Sequence, residues 1–216
     1  MSKDIECNNQ LNNQRSSSVD VERQQIIIID YGAGNIKSIQ FAFKRLGVVA
    51  KLSNNAEEII AADKVIFPGV GEANSAMQML KASGLDVVIP RLRQPVLGIC
   101  LGMQLMCNSS EEGNTKGLGI FNVEVKRFSN TVKVPHMGWN TISKLQSPLF
   151  KNIKEGAYMY LVHSYYAERC EAQIATTHYE FNYASALQKG NFYGVQFHPE
   201  KSSVAGEQLL RNFLAL

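Results

Sequence analysis

Cys100 stands between two glycines in the segment PVLGICLGMQ, residues 95–104. The apolar run Val96–Ile99 predicts a short buried strand, and the segment LGMQLMCNSS that follows Cys100 contains residues that favour a helix. A strand that turns into a helix at a cysteine, with Gly98 and Gly102 two residues to either side, is the layout of a nucleophile elbow. Side chains at the two glycine positions would collide in so tight a turn. The dipole and free N–H groups of the following helix favour a thiolate, the nucleophilic form of cysteine.

The same pattern also fits a buried core cysteine, so catalysis requires partners for the thiol. The segment GVQFHPE, residues 194–200, provides two candidates. Residues two apart in extended chain face the same side, and Pro199 favours extended backbone before it, so we expect the Glu200 carboxylate beside the His198 imidazole. Glu200 would then orient a ring that serves as the base for Cys100. The alternative is a surface histidine and glutamate near a turn.

Acyl transfer also needs hydrogen-bond donors for an oxyanion. One candidate is the N–H of Leu101, directly after the cysteine, and the other is the loop Gly69-Val70-Gly71. A simple turn between a strand and a helix explains this loop equally well. Because His198 and the elbow both follow predicted strands, they are expected at the carboxyl edge of a sheet, where open α/β folds place their sites.

The elements that must position these groups change character along the chain. Strands are predicted at 26–29, 48–52 and 64–67, and helices at 36–46, 56–62, 72–83 and 85–92. This alternation, which continues to about residue 110, predicts an α/β fold whose mainly parallel central sheet carries helices on both faces. Later strands are predicted near 120–126, 139–142, 158–163, 173–177, 184–188 and 192–197, before a last helix at 204–216. The second half is therefore expected to be β-rich and partly antiparallel.

Composition limits the possible functions. The chain has 216 residues, 45% of them hydrophobic, which suits one domain. A net charge of +3 without a basic run argues against nucleic acid, and no apolar run approaches the roughly 18 residues of a membrane span. Four scattered cysteines favour a reducing cytoplasm and neither a disulfide framework nor a zinc site. The Asn, Gln and Ser-rich residues 1–25 are expected to be disordered, which leaves 26–216 as the domain.

No cofactor is expected. The segment DYGAGN after the first predicted strand lacks the third glycine of a dinucleotide motif, because Lys37 stands at that position, and no P-loop pattern occurs. A turn that packs a strand against a helix is the simpler interpretation of this segment.

Taken together, GICLGMQ and the distant FHPE resemble the class I, triad-type glutamine amidotransferases, which have a flavodoxin-like fold. The similarity covers nearly all of residues 26–216. The segments DYGAGN, PGVG, CLGMQ, PHMGWN and FHPEKS are most similar to the glutaminase subunits of imidazole glycerol phosphate synthases, with PHMGWN the most discriminating. Other class I glutaminases more often have histidine at the position of Met103.

The resemblance implies roles for individual residues. Cys100 would be the nucleophile, His198 the base and acid, and Glu200 the residue that orients His198. Glutamine would form a thioester on the cysteine, release ammonia and be hydrolysed to glutamate. Further residues expected near the oxyanion or the amino-acid end of glutamine are Gly69, Val70, Gly71, Leu101, Gln104, Glu112, Ser164 and Tyr165.

The resemblance also implies a partner, because the family's ammonia passes to a cyclase subunit with a (β/α)8 barrel. That cyclase makes imidazole glycerol phosphate and an aminoimidazole carboxamide ribotide in histidine biosynthesis. Nothing in this chain is suited to bind the phosphorylated acceptor, which favours a heterodimer. The partner is expected to face Tyr31 to Asn35, the Gly69–Gly71 loop and the PHMGWN segment, made of Pro135, His136, Met137, Gly138, Trp139 and Asn140.

Three rival functions remain open at this point. The chain could be a cysteine peptidase or hydrolase of the same fold, although such an enzyme has no need of a glutamine pocket containing Gln104. It could be a binding module that kept the fold, although the complete set of Cys100, His198 and Glu200 argues against this. It could also feed ammonia to another acceptor, such as a sugar, which the glutaminase sequence discriminates poorly.

Overall fold

Two hydrophobic clusters lie on opposite faces of a central sheet in the computed structural model, which describes residues 24–32 and 35–216. Most of the predicted disordered segment, residues 1–23, lies outside the described residues, as do Ala33 and Gly34 of the Tyr31 to Asn35 segment. No helix in the described part of the chain is both long and apolar enough to span a membrane.

The helices are α1 (Ile36–Arg45), α2 (Ala56–Ala61), α3 (Ala73–Ala82), α4 (Leu85–Val88), α5 (Leu101–Leu105) and α6 (Ser203–Leu214). Short 3-10 turns occur at Ile89–Arg91, Glu112–Asn114, Pro148–Phe150 and Pro199–Lys201. The strands are β1 (Ile26–Ile29), β2 (Ala50–Ser53), β3 (Lys64–Phe67), β4 (Val96–Ile99), β5 (Cys107–Ser110), β6 (Thr115–Lys116), β7 (Phe121–Arg127), β8 (His136–Ile142), β9 (Ala157–His163), β10 (Tyr165–Ala167), β11 (Gln173–Tyr179), β12 (Phe181–Lys189) and β13 (Phe192–Val195).

The parallel part of the sheet has the order β2-β1-β3-β4-β13. The four strands from β1 to β13 are buried on both faces, and only the edge strand β2 is partly exposed. Ile26 and Ile28 of β1 enter one cluster, while Ile27 and Ile29 enter the other. Helices α1 and α6 cover the first face, and α2, α3 and α4 cover the second. Apolar β-branched runs without alternation are typical of such doubly covered parallel strands. The predicted fold class is confirmed.

The second half extends the sheet through β12, β10, β7, β5 and β6, mostly by antiparallel pairs, and β11 pairs with β12. Strands β5 and β7 are parallel. A separate antiparallel hairpin is formed by β8 and β9. The predicted β-rich, partly antiparallel second half is thus confirmed.

The predicted helix through LGMQLMCNSS was wrong in its second half, because α5 ends at Leu105 and Cys107–Ser110 form β5. The returning chain ends the helix by binding its last carbonyl groups. The N–H of Leu118 donates to the Leu105 carbonyl at 2.8 Å, and the N–H of Ile120 donates to the Met106 carbonyl at 2.9 Å. Tertiary hydrogen bonds therefore override local helix propensity here.

Candidate active site

Cys100 occupies the turn between β4 and α5, as the elbow pattern predicts. Its backbone has φ 54 and ψ −111, a conformation that residues with side chains rarely adopt and that clusters at functional sites. The Cys100 N–H donates to the carbonyl of Val195 at 2.8 Å, which ties the turn to the end of β13. The strained cysteine is therefore held by its neighbours at the carboxyl edge of the sheet.

The two glycines beside Cys100 are required by close backbone contacts. A Cβ on Gly102 would lie 1.9 Å from the carbonyl oxygen of Phe67, and one on Gly98 would lie 2.9 Å from the backbone nitrogen of Met103. Real Cβ atoms do not approach other atoms so closely, so the collision predicted from the sequence is confirmed at both positions.

His198 lies beside Glu200, with Nδ1 2.9 Å from Oε1, and both side chains are buried. The His198 backbone is also fixed, because its N–H donates to the Tyr160 carbonyl at 2.9 Å and its carbonyl accepts from Ser202 Oγ at 2.6 Å. Since Nδ1 faces the carboxylate, Nε2 is the ring nitrogen left for chemistry. It makes no hydrogen bond within the described part of the chain.

The predicted adjacency of these two side chains is confirmed, but the expected extended backbone at Glu200 is wrong. Pro199–Lys201 form a 3-10 turn, in which the Lys201 N–H donates to the His198 carbonyl at 3.0 Å. Proline suits the first position of such a turn because it has no N–H to satisfy and its φ is fixed near a helical value. The turn brings Glu200 back onto the His198 ring.

The charges around His198 favour its protonated form. Burial alone would lower the pKa of His198, but Cys100 and Glu200 together raise it to about 10. Hydrogen bonding and an adjacent negative charge stabilise an imidazolium more strongly than burial opposes it. The site therefore keeps His198 protonated at neutral pH, next to the sulfur that would attack a substrate.

A pocket of about 440 Å³ opens in front of Cys100 and His198. Most of the residues that the sequence places near substrate lie in its wall, namely Val70, Gly71, Leu101, Gln104, Glu112, Ser164 and Tyr165. Asn35 and Pro135 of the predicted partner face also contribute. Sequence reasoning assigned no pocket role to Val162, His163 and Lys201, which complete the lining. The Lys201 position could have been found from FHPEKS, where it directly follows Glu200.

The two predicted oxyanion donors border the same pocket. Leu101 is the first residue of α5, so its N–H has no acceptor within the helix. The opposing loop packs closely on this turn, because a Cβ on Gly69 would lie 2.6 Å from the backbone nitrogen of Gly102. Gly71 has φ +98, and the start of the loop is held by the Tyr31 hydroxyl, which donates to the Pro68 carbonyl at 2.9 Å.

Gln104 and Glu112 are partly committed to the protein. Gln104 Nε2 donates to the Tyr165 carbonyl at 2.9 Å, and Glu112 Oε2 accepts from the Ala73 N–H at 2.9 Å at the start of α3. Burial is the main reason that the pKa of the Glu112 carboxyl is raised. Both residues nevertheless line the pocket, and Gln104 Oε1 remains as an acceptor for a ligand.

The PHMGWN segment, predicted to face a partner, forms the start of β8. Its side chains alternate, so Met137 and Trp139 are 62% and 52% exposed, while His136 is buried. Trp139 therefore lies on the surface of the protein and not in the core. A partner could contact Met137 and Trp139 directly, whereas the His136 side chain faces inward.

His136 and His163 form a buried pair between β8 and β9, with His136 Nδ1 3.2 Å from His163 Nε2. The Tyr165 carbonyl lies 2.7 Å from His163 Nδ1, and because it can only accept, that nitrogen carries the proton. Asn140 Nδ2 lies 3.3 Å from His136 Nε2 and donates to it. The pair therefore fits two neutral rings, His136 donating to His163.

The buried pair predicts a loss of stability in acid. Burial lowers the pKa of His163 to about 3 and that of His136 to about 4. Below pH 6.5, the pKa of histidine in the unfolded chain, the unfolded chain binds more protons than the folded one. The free energy of unfolding should therefore fall from pH 6.5 toward pH 4, by roughly 2 kcal/mol per histidine.

Urea unfolding at pH 7 and pH 4.5 measures this loss of stability. The acid loss should shrink in His163→Gln and stay unchanged when the exposed His178 is replaced by glutamine; equal losses in both variants would contradict it.

Glu200→Gln should lower glutamine turnover by about 10²–10⁴-fold, less than loss of Cys100, because it removes the charge that orients and stabilises the His198 imidazolium. Glu207→Gln, on the exposed face of α6, is the matched control. Steady-state glutamate release checks both. Residues that act as a unit are not additive, so a double variant with Cys100→Ala that is much slower than Cys100→Ala alone would show that Glu200 acts elsewhere.

Comparison with known proteins agrees with this geometry. The chain is 56% identical to the "Imidazole glycerol phosphate synthase subunit HisH" of Bacteroides fragilis over 195 residues, which are 89% of this chain and 100% of that protein. It is 46% identical to the protein of the same name from Pectobacterium atrosepticum, with the same coverage.

Solved structures with low sequence identity show the same fold. A glutamine amidotransferase superposes with a TM-score of 0.69 at 18% identity, covering 88% of this chain and 97% of that one. The PurLQS structure from Thermotoga maritima gives 0.68 at 13% identity, covering 89% and 98%. The family model described as "Glutamine amidotransferase class-I" matches residues 27–216, nearly the whole described chain. The chain belongs to the class I glutamine amidotransferase family.

Proposed function

We propose that this chain is the glutaminase subunit of an imidazole glycerol phosphate synthase. In this function it hydrolyses glutamine to glutamate and ammonia and delivers the ammonia to a cyclase subunit. The observation that carries the proposal is that Cys100 and His198 line one pocket and Glu200 holds His198 from behind, within a chain that matches the named HisH proteins over their full length.

The chemistry has two halves. Cys100 Sγ attacks the side-chain amide carbon of glutamine, and His198 gives its Nε2 proton to the departing nitrogen, so that ammonia leaves and a glutamyl thioester remains. His198, now neutral, takes a proton from water as the water attacks the thioester. The C–S bond breaks, glutamate forms, and the thiolate and imidazolium are restored. Glu200 holds Nδ1 throughout and keeps Nε2 directed at the reaction.

Both halves pass through a tetrahedral oxyanion that needs donors. The N–H of Leu101 and those of Val70 and Gly71 are the candidates, because all three residues line the pocket beside Cys100. At Gly71, φ +98 is freely available only to glycine, so this peptide can turn between donating and non-donating orientations. Activity would then depend on a partner, because the partner can select the orientation in which this peptide donates to the oxyanion.

The amino-acid end of glutamine is proposed to lie against the remaining polar wall. The free Oε1 of Gln104 and the carboxylate of Glu112 suit the substrate ammonium group, and the backbone of Ser164 and Tyr165 lies beside them in the wall. This arrangement predicts a preference for glutamine over simple amides, because a simple amide has no ammonium group to pair with the Glu112 carboxylate.

The face of the β8–β9 hairpin that points outward is proposed to receive the cyclase, which we expect to be a (β/α)8 barrel. Exposed Met137, Trp139 and Tyr158 lie on this face. On the same face, the Lys201 Nζ lies 5.8 Å from the centre of the Tyr160 ring. Val162 on the same strand and Lys201 also line the pocket, so the face is continuous with the site. Exposed aromatic and methionine side chains are typical interface anchors. A cytoplasmic location is proposed with it, because Cys100, Cys107 and Cys170 are free thiols.

The remaining rivals differ in what they accept. A cysteine peptidase or hydrolase would cleave other acyl compounds, and a sugar-modifying amidotransferase would pair with another synthase. The test is to mix the purified chain with the cyclase and its ribulosyl-aminoimidazole carboxamide substrate, and to follow product formation with glutamine or with ammonium. Product from glutamine only when this chain is present supports the proposal. Product from ammonium alone, with no glutamine-dependent product, would refute it.

A further inference from the structure

Gln196 is a fully buried amide beside the nucleophile that the mechanism above does not use. It follows the last residue of β13, and its N–H donates to the Ser185 carbonyl at 2.9 Å. Its Nε2 lies 3.7 Å from Cys100 Sγ, and its Oε1 lies 2.8 Å from Gln104 Nε2. One side chain thus bridges the attacking sulfur and a wall residue of the pocket.

The orientation of the Gln196 amide follows from its neighbours. The Tyr165 carbonyl can only accept, so it fixes the nitrogen of Gln104 on its side at 2.9 Å. The second proton of that nitrogen then points at Gln196, which must present its oxygen. The Gln196 nitrogen is therefore turned to Cys100 Sγ and donates to it.

The backbone holds this contact in place. The Cys100 N–H binds the carbonyl of Val195, the residue before Gln196, at 2.8 Å. The parallel pairing of β4 and β13 places Val195 directly beside Ile99. These contacts fix the backbone positions of Cys100 and Gln196 relative to each other, so the amide is preorganised toward the sulfur.

We infer that Gln196 is a positioning residue for the glutaminase reaction: its Nε2–H donates to the Cys100 thiolate, and its Oε1 links that sulfur to Gln104. The inference deepens the proposed function and rests on it for the identity of the substrate. A neutral N–H donor stabilises the thiolate without supplying a proton, so proton transfer stays with His198. The link to Gln104 couples the position of the sulfur to the wall that holds the substrate.

A hydrogen bond that favours the charged form of a group should shift its titration midpoint by about 1–2 pH units, which the alkylation rate can measure. Other groups also act on the sulfur and are left intact by the variants below. They are His198 with Glu200, the phenols of Tyr31 and Tyr183, and the pocket-wall groups of Glu112, His163 and Lys201.

The experiment measures the rate of alkylation of Cys100 by iodoacetamide against pH in the isolated chain, with mass spectrometry of the Cys100 peptide. It requires neither glutamine nor a partner. Gln196→Met, which removes the donor but keeps the volume, should move the midpoint up by about one unit. Gln196→Glu, which keeps the shape and puts an acceptor at the sulfur, should move it further. Gln104→Met is the comparison: it keeps the donor of Gln196 but removes the bond that orients it, so its midpoint should move in the same direction by less than that of Gln196→Met.

Kinetics separate positioning from binding. With the cyclase present, Gln196→Met should lower kcat by about tenfold or more, whereas Gln104→Met should act mainly on KM. An unchanged alkylation midpoint in Gln196→Met would overturn the inference and leave the amide as part of the core. If Gln196→Met does not fold, the alkylation midpoint of the isosteric Gln196→Glu variant provides the same test: an unchanged midpoint would overturn the inference. A shifted alkylation midpoint in Gln196→Met, together with a glutaminase activity that the cyclase does not raise, would support the inference and refute the proposed function.

Discussion

Replacing Cys100 by alanine should abolish glutamine hydrolysis, by about 10⁴-fold or more, while the fold is kept. The change removes the attacking atom and little volume, and alanine tolerates φ 54 no worse than cysteine does. Cys100→Ser keeps the shape and should be nearly as inactive, because an alcohol at this position is far less ionised than a thiol. Glutamate release by the purified variants, in complex with the cyclase, measures the effect.

The matched control is Cys170→Ser, which changes a partly exposed thiol outside the pocket and should keep its activity. Synthesis from free ammonium by the cyclase should persist in the complex with Cys100→Ala, because ammonium bypasses the glutaminase. Glutamine-dependent turnover by Cys100→Ala would refute the mechanism.

The second large effect is expected from the partner. Glutaminase activity of the isolated chain should be far below that of the complex with cyclase and bound acceptor, by about 10²–10³-fold if one oxyanion donor is withdrawn in the free chain. The donor is proposed to lie in the Gly69–Gly71 loop, which packs on the Leu101–Gly102 turn and contains a glycine with φ +98. A partner contacting the nearby hairpin can bias the orientation of such a peptide.

Three measurements of steady-state glutamate release test this coupling: the chain alone, the chain with cyclase, and both with an acceptor analogue. Equal rates in all three would refute it and leave an independent glutaminase. Trp139→Ala should weaken assembly, because its side chain is half exposed on the proposed face. Val49→Ala, an exposed position just before β2, is the control. Activation that survives Trp139→Ala with unchanged affinity would move the interface elsewhere.

Local signals predicted much of the fold. The runs at Ile26–Ile29 and Lys64–Phe67 are strands with the predicted bounds, because buried parallel strands consist of continuous apolar residues with clear breaks. Strand β5 could not be predicted in this way. The helical spacing of the apolar residues before it gives no clear end to the helix, and the distant segment around Leu118 and Ile120, which binds the last carbonyls of α5, determines where the helix stops.

The site shows the same division. The turn at Cys100 was predictable because two glycines mark its close contacts, and the adjacency of His198 and Glu200 because they stand two residues apart. The 3-10 turn that brings these two side chains together was not predicted. Gln196 and His163 gave no such signal, because no neighbouring residue in the sequence marks either of them as functional. Their roles depend on contacts across the sequence, Gln196 with Cys100 and His163 with His136. Long-range contacts of this kind leave no spacing pattern in a single chain.

The central claim is that Cys100 attacks glutamine in this pocket. A diazoketone analogue of glutamine, which alkylates the nucleophile that would attack the amide carbon, tests it most directly when the modified peptide is mapped by mass spectrometry. We predict one adduct, on Cys100, which excess glutamine prevents and which is slowed in Glu200→Gln. Loss of glutaminase activity with the adduct on Cys107 or Cys170, or with no adduct on Cys100, would contradict the account.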